Sequence, residues 1–266
     1  MCCFKKTKIT CRGFSPRRQR LKLFLVTDIC EDARIIDATV NEGRDQDCGR
    51  DQKVMPGKVP NPTFIYRITH YKNLGFILQN GLCCPNHALK DPSFVNIGHK
   101  KLIDDRGKRN VPVQPRGTLN DYIAFYFTRK SPMLYLIAKH NVPDFAGDQS
   151  EIVYLVSRAQ EIEGAKIPFV FTDRHAKLDF AQFGNSLSEL TIVDWDVIAS
   201  DIWSNTLALY DRKEKKQAEF LVYQQLPIGL VRGIVCQNKT ILRIIEQTIQ
   251  QSGVSLAAKC IPDWYY

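Results

Sequence analysis

The 266-residue sequence lacks the signatures that mark the common nucleotide-dependent and hydrolytic enzymes. It has no G-x-G-x-x-G turn, no Walker-type phosphate loop, no H-E-x-x-H pair and no G-x-S-x-G elbow, so dehydrogenase, P-loop, zincin and α/β-hydrolase readings lose their main supports. Long apolar runs are missing too. A membrane span needs roughly 18 such residues, whereas the longest candidates, Met133 to Ala138 among them, stop after about six. That excludes a helical membrane anchor from the reading. None of the nine cysteines forms a C-x-x-C pair: Cys2, Cys3, Cys11, Cys30 and Cys48 precede Met55, Cys83-Cys84 are adjacent, and no histidine stands at finger spacing. A zinc site and a disulfide framework are therefore unsupported, and reduced thiols in a cytoplasmic protein are expected.

What the chain has in excess is positive charge. Lys plus Arg outnumber Asp plus Glu by 37 to 28, a formal charge of +9, which favours a polyanionic partner, nucleic acid first and a nucleotide second. The length suits one globular domain, or one with a tail. Residues 1–54 carry 12 Lys/Arg against 8 Asp/Glu and most of the cysteines. Arg17-Arg18-Gln19-Arg20 before the hydrophobic-rich run Leu21 to Val26 superficially resembles a signal peptide, but the run is too short, and Asp28, Glu31 and Asp32 follow where a cleavage site belongs. The segment reads as a basic, Cys-rich leader, disordered or misassigned, with a phosphate-gripping arm as the sharper alternative. Asn41 to Lys53 reads as linker, and the folded domain is expected over 55–266.

From Met55 onward strand-like and helix-like pieces alternate. Phe64 to Thr69 alternates faces and is rich in aromatic and β-branched residues, hence a strand; Leu74, Ile77, Leu78 and Leu82 then recur at helical spacing, with Gly81 as a left-handed cap. Asn86 to Arg116 shows no sustained period and holds Lys90, His99, Lys100, Lys101, Arg106, Lys108, Arg109 and Arg116, which predicts a short helix inside a mobile basic loop. Further strands are expected over Asp121–Thr128, Glu151–Ser157, Ile167–Thr172, Gln217–Tyr223 and Leu230–Gln237. Helices are expected from Ser131-Pro132 through Lys139 and after a Thr240 cap. The sum is an α+β fold with six or so strands.

Several polar residues stand where a pure core would not want them. Arg67, Thr69 and His70 close the first strand, Arg106 lies in the basic loop, and Arg129 follows an aromatic strand. Glu219 is flanked by Ala218, Phe220, Leu221 and Val222, so it either alternates outward on an edge strand or occupies a cleft where something hydrogen-bonds it. For the histidine the plainer alternative is a satisfied strand end, and for each arginine a solvated charge or surface ion pair.

Taken in order, these residues resemble the DarT family. The likeness is carried by Tyr66-Arg67-Ile68-Thr69-His70 with Asn73-Leu74, by Gly81-Leu82 to Asn86, and by Asp121-Tyr122 with Phe125-Tyr126-Phe127. It continues in Arg129 through Tyr135, Pro168 to Arg174, Lys215 to Val222 and the closing Asp263-Trp264-Tyr265-Tyr266, so that it spans Pro60 to Tyr266. The resemblance implies a diphtheria-toxin/PARP-like ADP-ribosyltransferase fold, a split antiparallel β-sheet with flanking helices around an NAD cleft. It implies a toxin of the glycosyl- and nucleotidyltransferase classes that moves ADP-ribose from NAD to thymine in single-stranded DNA, although a guanine-modifying branch exists. By position, Glu219 and Arg106 are the catalytic pair; Arg67, Thr69, His70, Asn73, Leu74 and Arg106 bind NAD, with Arg67 standing where some members have a histidine. Arg129, Lys108, Arg109, Arg116 and Arg174 are the candidate DNA contacts. The implied partners are single-stranded DNA and a macrodomain antitoxin of the DarG type, with no metal, no membrane and a monomeric chain. A transferase acting on RNA or protein, or a non-catalytic nucleic-acid-binding module, is the alternative.

Overall fold

The computed structural model describes residues 57–266; the expectations for the basic leader and its linker lie outside the described residues. The chain runs through β1 (Phe64–His70), α1 (Leu74–Asn80), β2 (Leu82–Cys83), α2 (Lys100–Lys108), β3 (Tyr122–Tyr126), α3 (Pro132–Ala138) and β4 (Ile152–Arg158). It continues with α4 (Ala159–Gly164), β5 (Phe169–Thr172), β6 (Phe183–Gly184), α5 (Trp195–Ala199), α6 (Arg212–Lys215) and β7 (Glu219–Tyr223). β8 (Gln225–Leu226), β9 (Gly233–Cys236), α7 (Lys239–Ser252) and β10 (Ala258–Cys260) complete it.

Eight strands form one sheet in the order β10-β9-β4-β1-β3-β7-β5-β6, antiparallel except where β10 runs parallel to β9. The weak seam lies in the middle. β1 pairs with β4 from Phe64↔Arg158 to His70↔Ile152, but meets β3 only at Tyr66↔Tyr126. β3 in turn pairs with β7 along its full length, from Tyr122↔Tyr223 to Tyr126↔Glu219. The sheet therefore divides into two halves that diverge between β1 and β3, the split architecture that the family resemblance implies.

Alternation of side chains assigns each face a core. Ile65, Phe125, Leu155, Phe171, Phe220 and Ile234 share the main cluster with Leu74, Ile77 and Leu78 of α1 and Ile241 and Ile245 of α7. Tyr66, Ile68, Tyr154 and Val235 face the other way, against Leu134 and Ile137 of α3 and against Trp264 and Tyr265. Val170 and Leu221 form a third cluster with Tyr122, Val111 and Ala176 beneath the loops after β5. At about 1.5–3 kcal/mol for each large apolar side chain removed from water, these faces make the sheet a rigid frame for the loops at the split.

The helix ends follow their sequence signals with two differences. Ser131 accepts from Leu134 N–H at 3.2 Å, with Pro132 at the first position. Gly81 has the expected positive φ of 77° but an extended ψ of −177°, so it turns the chain straight into β2; a Cβ there would meet the Leu226 carbonyl at 2.5 Å. The last helix is capped by Asn238, whose side chain accepts from Ile241 N–H at 2.9 Å, and not by Thr240, which lies inside the first turn. Among the described residues no helix is long and apolar enough to cross a membrane, and Cys83, Cys84, Cys236 and Cys260 are free.

Candidate active site

β7 lies between β3 and β5, so Glu219 is not an outward-facing glutamate of an edge strand. It is the first residue of β7, 3% exposed, and its neighbour Phe220 fills the main core from the opposite face. A buried carboxylate needs partners, and four protein groups surround this one. Arg106 Nη1 donates to Oε1 at 3.0 Å from 113 residues away, and Nη2 lies 2.9 Å from Oε2. Ala176 N–H donates to Oε1 at 3.2 Å, and His175 Nδ1 lies 3.5 Å from the same oxygen. Tyr126 stands directly across the strand pair. Burial pushes the Glu219 carboxyl up, but Arg106, then His175 and the Ala176 N–H outweigh it and hold the group below the usual carboxylate range.

The guanidinium of Arg106 is positioned by α2, a helix with no fully buried residue. This helix is held to the loop after β5 and to the turn before β3 by polar contacts. Asp105 pairs with Lys177 at 2.6 Å, Arg109 Nη1 pairs with Asp179 at 2.9 Å, and Asn120 Nδ2 donates to Ile103 O at 3.1 Å. The close contact of Arg106 Nη2 with Oε2 is an ion pair without hydrogen-bond alignment, so a buried N–H remains available to another acceptor. Arg67 bridges the seam by donating to Ala124 O at 2.9 Å; burial and then the nearby Arg106 charge bring its pKa down to about 10. Burial and then Glu219 push the Tyr126 phenol up to about 12. The two guanidiniums are close enough to repel one another, and an anion such as a pyrophosphate beside them would relieve that repulsion.

The remaining predicted positions separate into groups. Thr69, His70 and Asn73 are buried at the end of β1. Asn73 donates to Thr69 Oγ1 and Val95 O, each at 3.0 Å, and accepts from Val95 N–H at 2.8 Å, so it ties the loop after β2 to the strand end. His70 stacks on Tyr71 and lies 3.6 Å from Glu151; burial holds its pKa down. Leu74 is in the main core. Lys108 and Arg116 are exposed, whereas Arg109 is engaged by Asp179 and Arg174 by Asp173 and Asp211. Arg129 lies with its guanidinium 5.4 Å from the Trp264 ring, in the cluster on the β1–β4 half. His175 and Tyr126 were not singled out from sequence. The strand alternation that puts Tyr126 on Glu219's face was available, but the approach of His175 was not.

A split sheet in which a buried carboxylate opens the central strand β7 and is paired with an arginine of α2 defines an ADP-ribosyltransferase. A family model described as ssDNA thymidine ADP-ribosyltransferase, DarT, matches residues 66–266. The chain is 43% identical over 192 residues to a DNA ADP-ribosyl transferase of Thermus aquaticus, covering 72% of this chain and 83% of that one. It is 35% identical over 207 residues to one of Escherichia coli O127:H6, covering 78% and 95%. The structure of Thermus sp. 2.9 DarT in complex with ADP-ribosylated ssDNA superposes with a TM-score of 0.74 at 36% identity, over 80% of this chain and all of that one. The same protein in complex with NAD+ gives 0.70 at 37% identity. The chain belongs to the DarT family.

Proposed function

We propose that this chain is a toxin that transfers ADP-ribose from NAD to thymine in single-stranded DNA, releasing nicotinamide, with Glu219 and Arg106 as its catalytic pair. The observation that carries the residue roles is the buried Glu219–Arg106 pair at the start of β7, one strand from the seam of the sheet. Breaking the bond between nicotinamide and ribose develops positive, oxocarbenium-like charge on the sugar, and a fixed carboxylate beside it stabilises that charge. Glu219 holds a ribose hydroxyl and takes the proton from the ring nitrogen of the incoming base. The bond from the ribose C1′ to nicotinamide breaks as the bond to that nitrogen forms. The reaction is thus a pentosyl transfer and not a nucleotidyl transfer, because no phosphoanhydride is cleaved. Arg106 and Arg67 hold the pyrophosphate, and Thr69, His70 and Asn73 shape the wall that receives the rest of the dinucleotide.

No nucleophile on the protein is needed, because the base itself attacks. It must be unpaired, since extracting it from a duplex costs a few kcal/mol. Phe180 and Tyr210, exposed in the segment between β5 and β7, supply stacking surface for unpaired bases. Lys108 and Arg116, the exposed members of the candidate set, neutralise phosphates. The log–log salt dependence of oligonucleotide binding is therefore expected to flatten by about 0.7 when either Lys108 or Arg116 is replaced by Ala. Fluorescence anisotropy measures this, and affinity independent of salt would remove the phosphate track. As the family resemblance implies, the chain is countered by a macrodomain antitoxin of the DarG type and acts as a monomer in the cytoplasm.

The decisive assay incubates the protein with NAD labelled in its adenylate half and separate pools of single-stranded DNA, duplex DNA, RNA and protein. Label is expected in thymine-containing single strands alone. Incorporation into RNA or protein instead would overturn the substrate assignment.

A further inference from the structure

We propose that Arg174 is a positioning residue for Glu219: clamped between Asp173 and Asp211, it fixes the Thr172–Ala176 backbone that holds the carboxylate. The inference rests on the reading of Glu219 as catalytic and adds to it a residue that touches neither substrate.

The geometry runs outward from Glu219 in two directions. Its carboxylate accepts from Ala176 N–H, and its own N–H donates to Thr172 Oγ1 at 3.1 Å. The Thr172 hydroxyl in turn donates to Arg174 O at 2.6 Å, so the five residues from Thr172 to Ala176 form a bracket around the start of β7. The bracket is fastened from outside by the Arg174 side chain. Nε donates to Asp173 Oδ2 at 2.8 Å, and Nη1 donates to Asp211 Oδ2 at 3.2 Å just before α6. His175 N–H adds a bond to Glu214 O at 3.0 Å. Lys215 extends the network to Asp211 at 3.5 Å and Asp194 at 3.2 Å. One guanidinium thus joins the loop leaving β5 to the segment entering β7, and only a planar fork spans both carboxylates at once.

Local charge argues against a phosphate contact at this arginine. Three carboxylates (Asp173, Asp194, Asp211) stand against two cations (Arg174, Lys215), a net charge of −1 that repels a DNA backbone. The guanidinium is also covered by Phe180, 5.1 Å from the ring centroid. Without Arg174, Asp173, which is 5% exposed, keeps the Gln182 N–H at 2.8 Å but loses its ion pair. An uncompensated buried carboxylate relaxes toward water, and this one carries the bracket with it.

The test compares Arg174→Gln and Arg174→Lys with the unaltered chain in steady-state transfer from NAD to a thymine oligonucleotide. For Arg174→Gln we expect kcat to fall about 30-fold, with both KM values within about twofold, because displacing a reacting group by a fraction of an ångström is costly. The acid limb of its pH–rate profile moves to higher pH, since Glu219 is a weaker acid once the bracket carries the Ala176 N–H and His175 away from it; Arg106 and Tyr126, which also face it, lie outside the bracket. Arg174→Lys keeps the charge but not the fork and is expected to lose only about fivefold in kcat, with a smaller move of the limb. A raised oligonucleotide KM with a salt slope flatter by about 0.7 would make Arg174 a phosphate contact and overturn the proposal. So would unchanged kcat and pH profile in either variant, and Arg174→Lys decides the matter alone if Arg174→Gln does not fold. Glu219→Gln is run alongside: activity in that variant defeats the catalytic reading, whereas an inactive Glu219→Gln beside a normal Arg174→Gln defeats the positioning alone.

Discussion

Glu219→Gln is expected to lower transfer by about three orders of magnitude, roughly 4 kcal/mol in the barrier, while leaving NAD affinity within severalfold. The amide keeps the shape of the carboxylate and can still accept from Ala176 N–H, but it brings no negative charge to the ribose and no base for the attacking nitrogen. In the proposed roles the ground-state contacts to the pyrophosphate belong to Arg106 and Arg67, so binding and chemistry are expected to separate in this variant. Its structural cost is that of breaking one buried ion pair, about 3–5 kcal/mol, because Arg106 keeps its charge and loses its partner. Nicotinamide release and the mass of the oligonucleotide read the chemistry, titration with NAD reads the binding, and a melting curve confirms the fold. Full transfer by folded Glu219→Gln would exclude the carboxylate from the reaction.

The frame of this protein was legible because its elements bury one face each. Phe64 to His70, Leu74 to Asn80, Ser131-Pro132 and the Glu219 strand carry periods or caps that survive in three dimensions. β2, β6 and β8 are two residues long and β10 three, too short to show any period, so the expected six strands became ten. The acidic half of the site was legible from Glu219 standing among apolar neighbours, yet nothing local said that its partner was 113 residues upstream. Arg106 was singled out as one charge in a basic loop and gained its role only from family likeness. Charge alone is also incomplete in the same region. Arg109 and Arg174 read as DNA contacts, and their guanidiniums also pair with Asp179 and with Asp173 and Asp211; of these carboxylates only Asp173 is a sequence neighbour, and the other two lie far along the chain.

Arg106 gives the second large effect, and two substitutions divide its charge from its shape. Arg106→Ala is expected to lower kcat by about 100-fold and raise the KM for NAD about tenfold, since both the ion pair and the pyrophosphate donor go. Its pH dependence should change sign as well as size. In the unaltered chain Arg106 is the largest influence holding the Glu219 pKa down, so the pair contributes stability above the unfolded carboxylate value of about 4.3, lost as pH falls through the lower folded value. Without the guanidinium, burial is the dominant influence and the folded pKa rises above the unfolded one, so ionising Glu219 now destabilises the fold. Relative to the unaltered chain, Tm of Arg106→Ala should therefore increase as pH falls from about 7 toward 5, and residual transfer should decline over the same interval. Arg106→Lys retains the charge, keeps the ordinary slope of Tm with pH, and still loses NAD affinity because an ammonium cannot fork between a carboxylate and a phosphate. Equal slopes for Arg106→Ala and the unaltered chain would mean that the buried carboxylate is governed by another neighbour, with His175, 3.5 Å away, the next to replace.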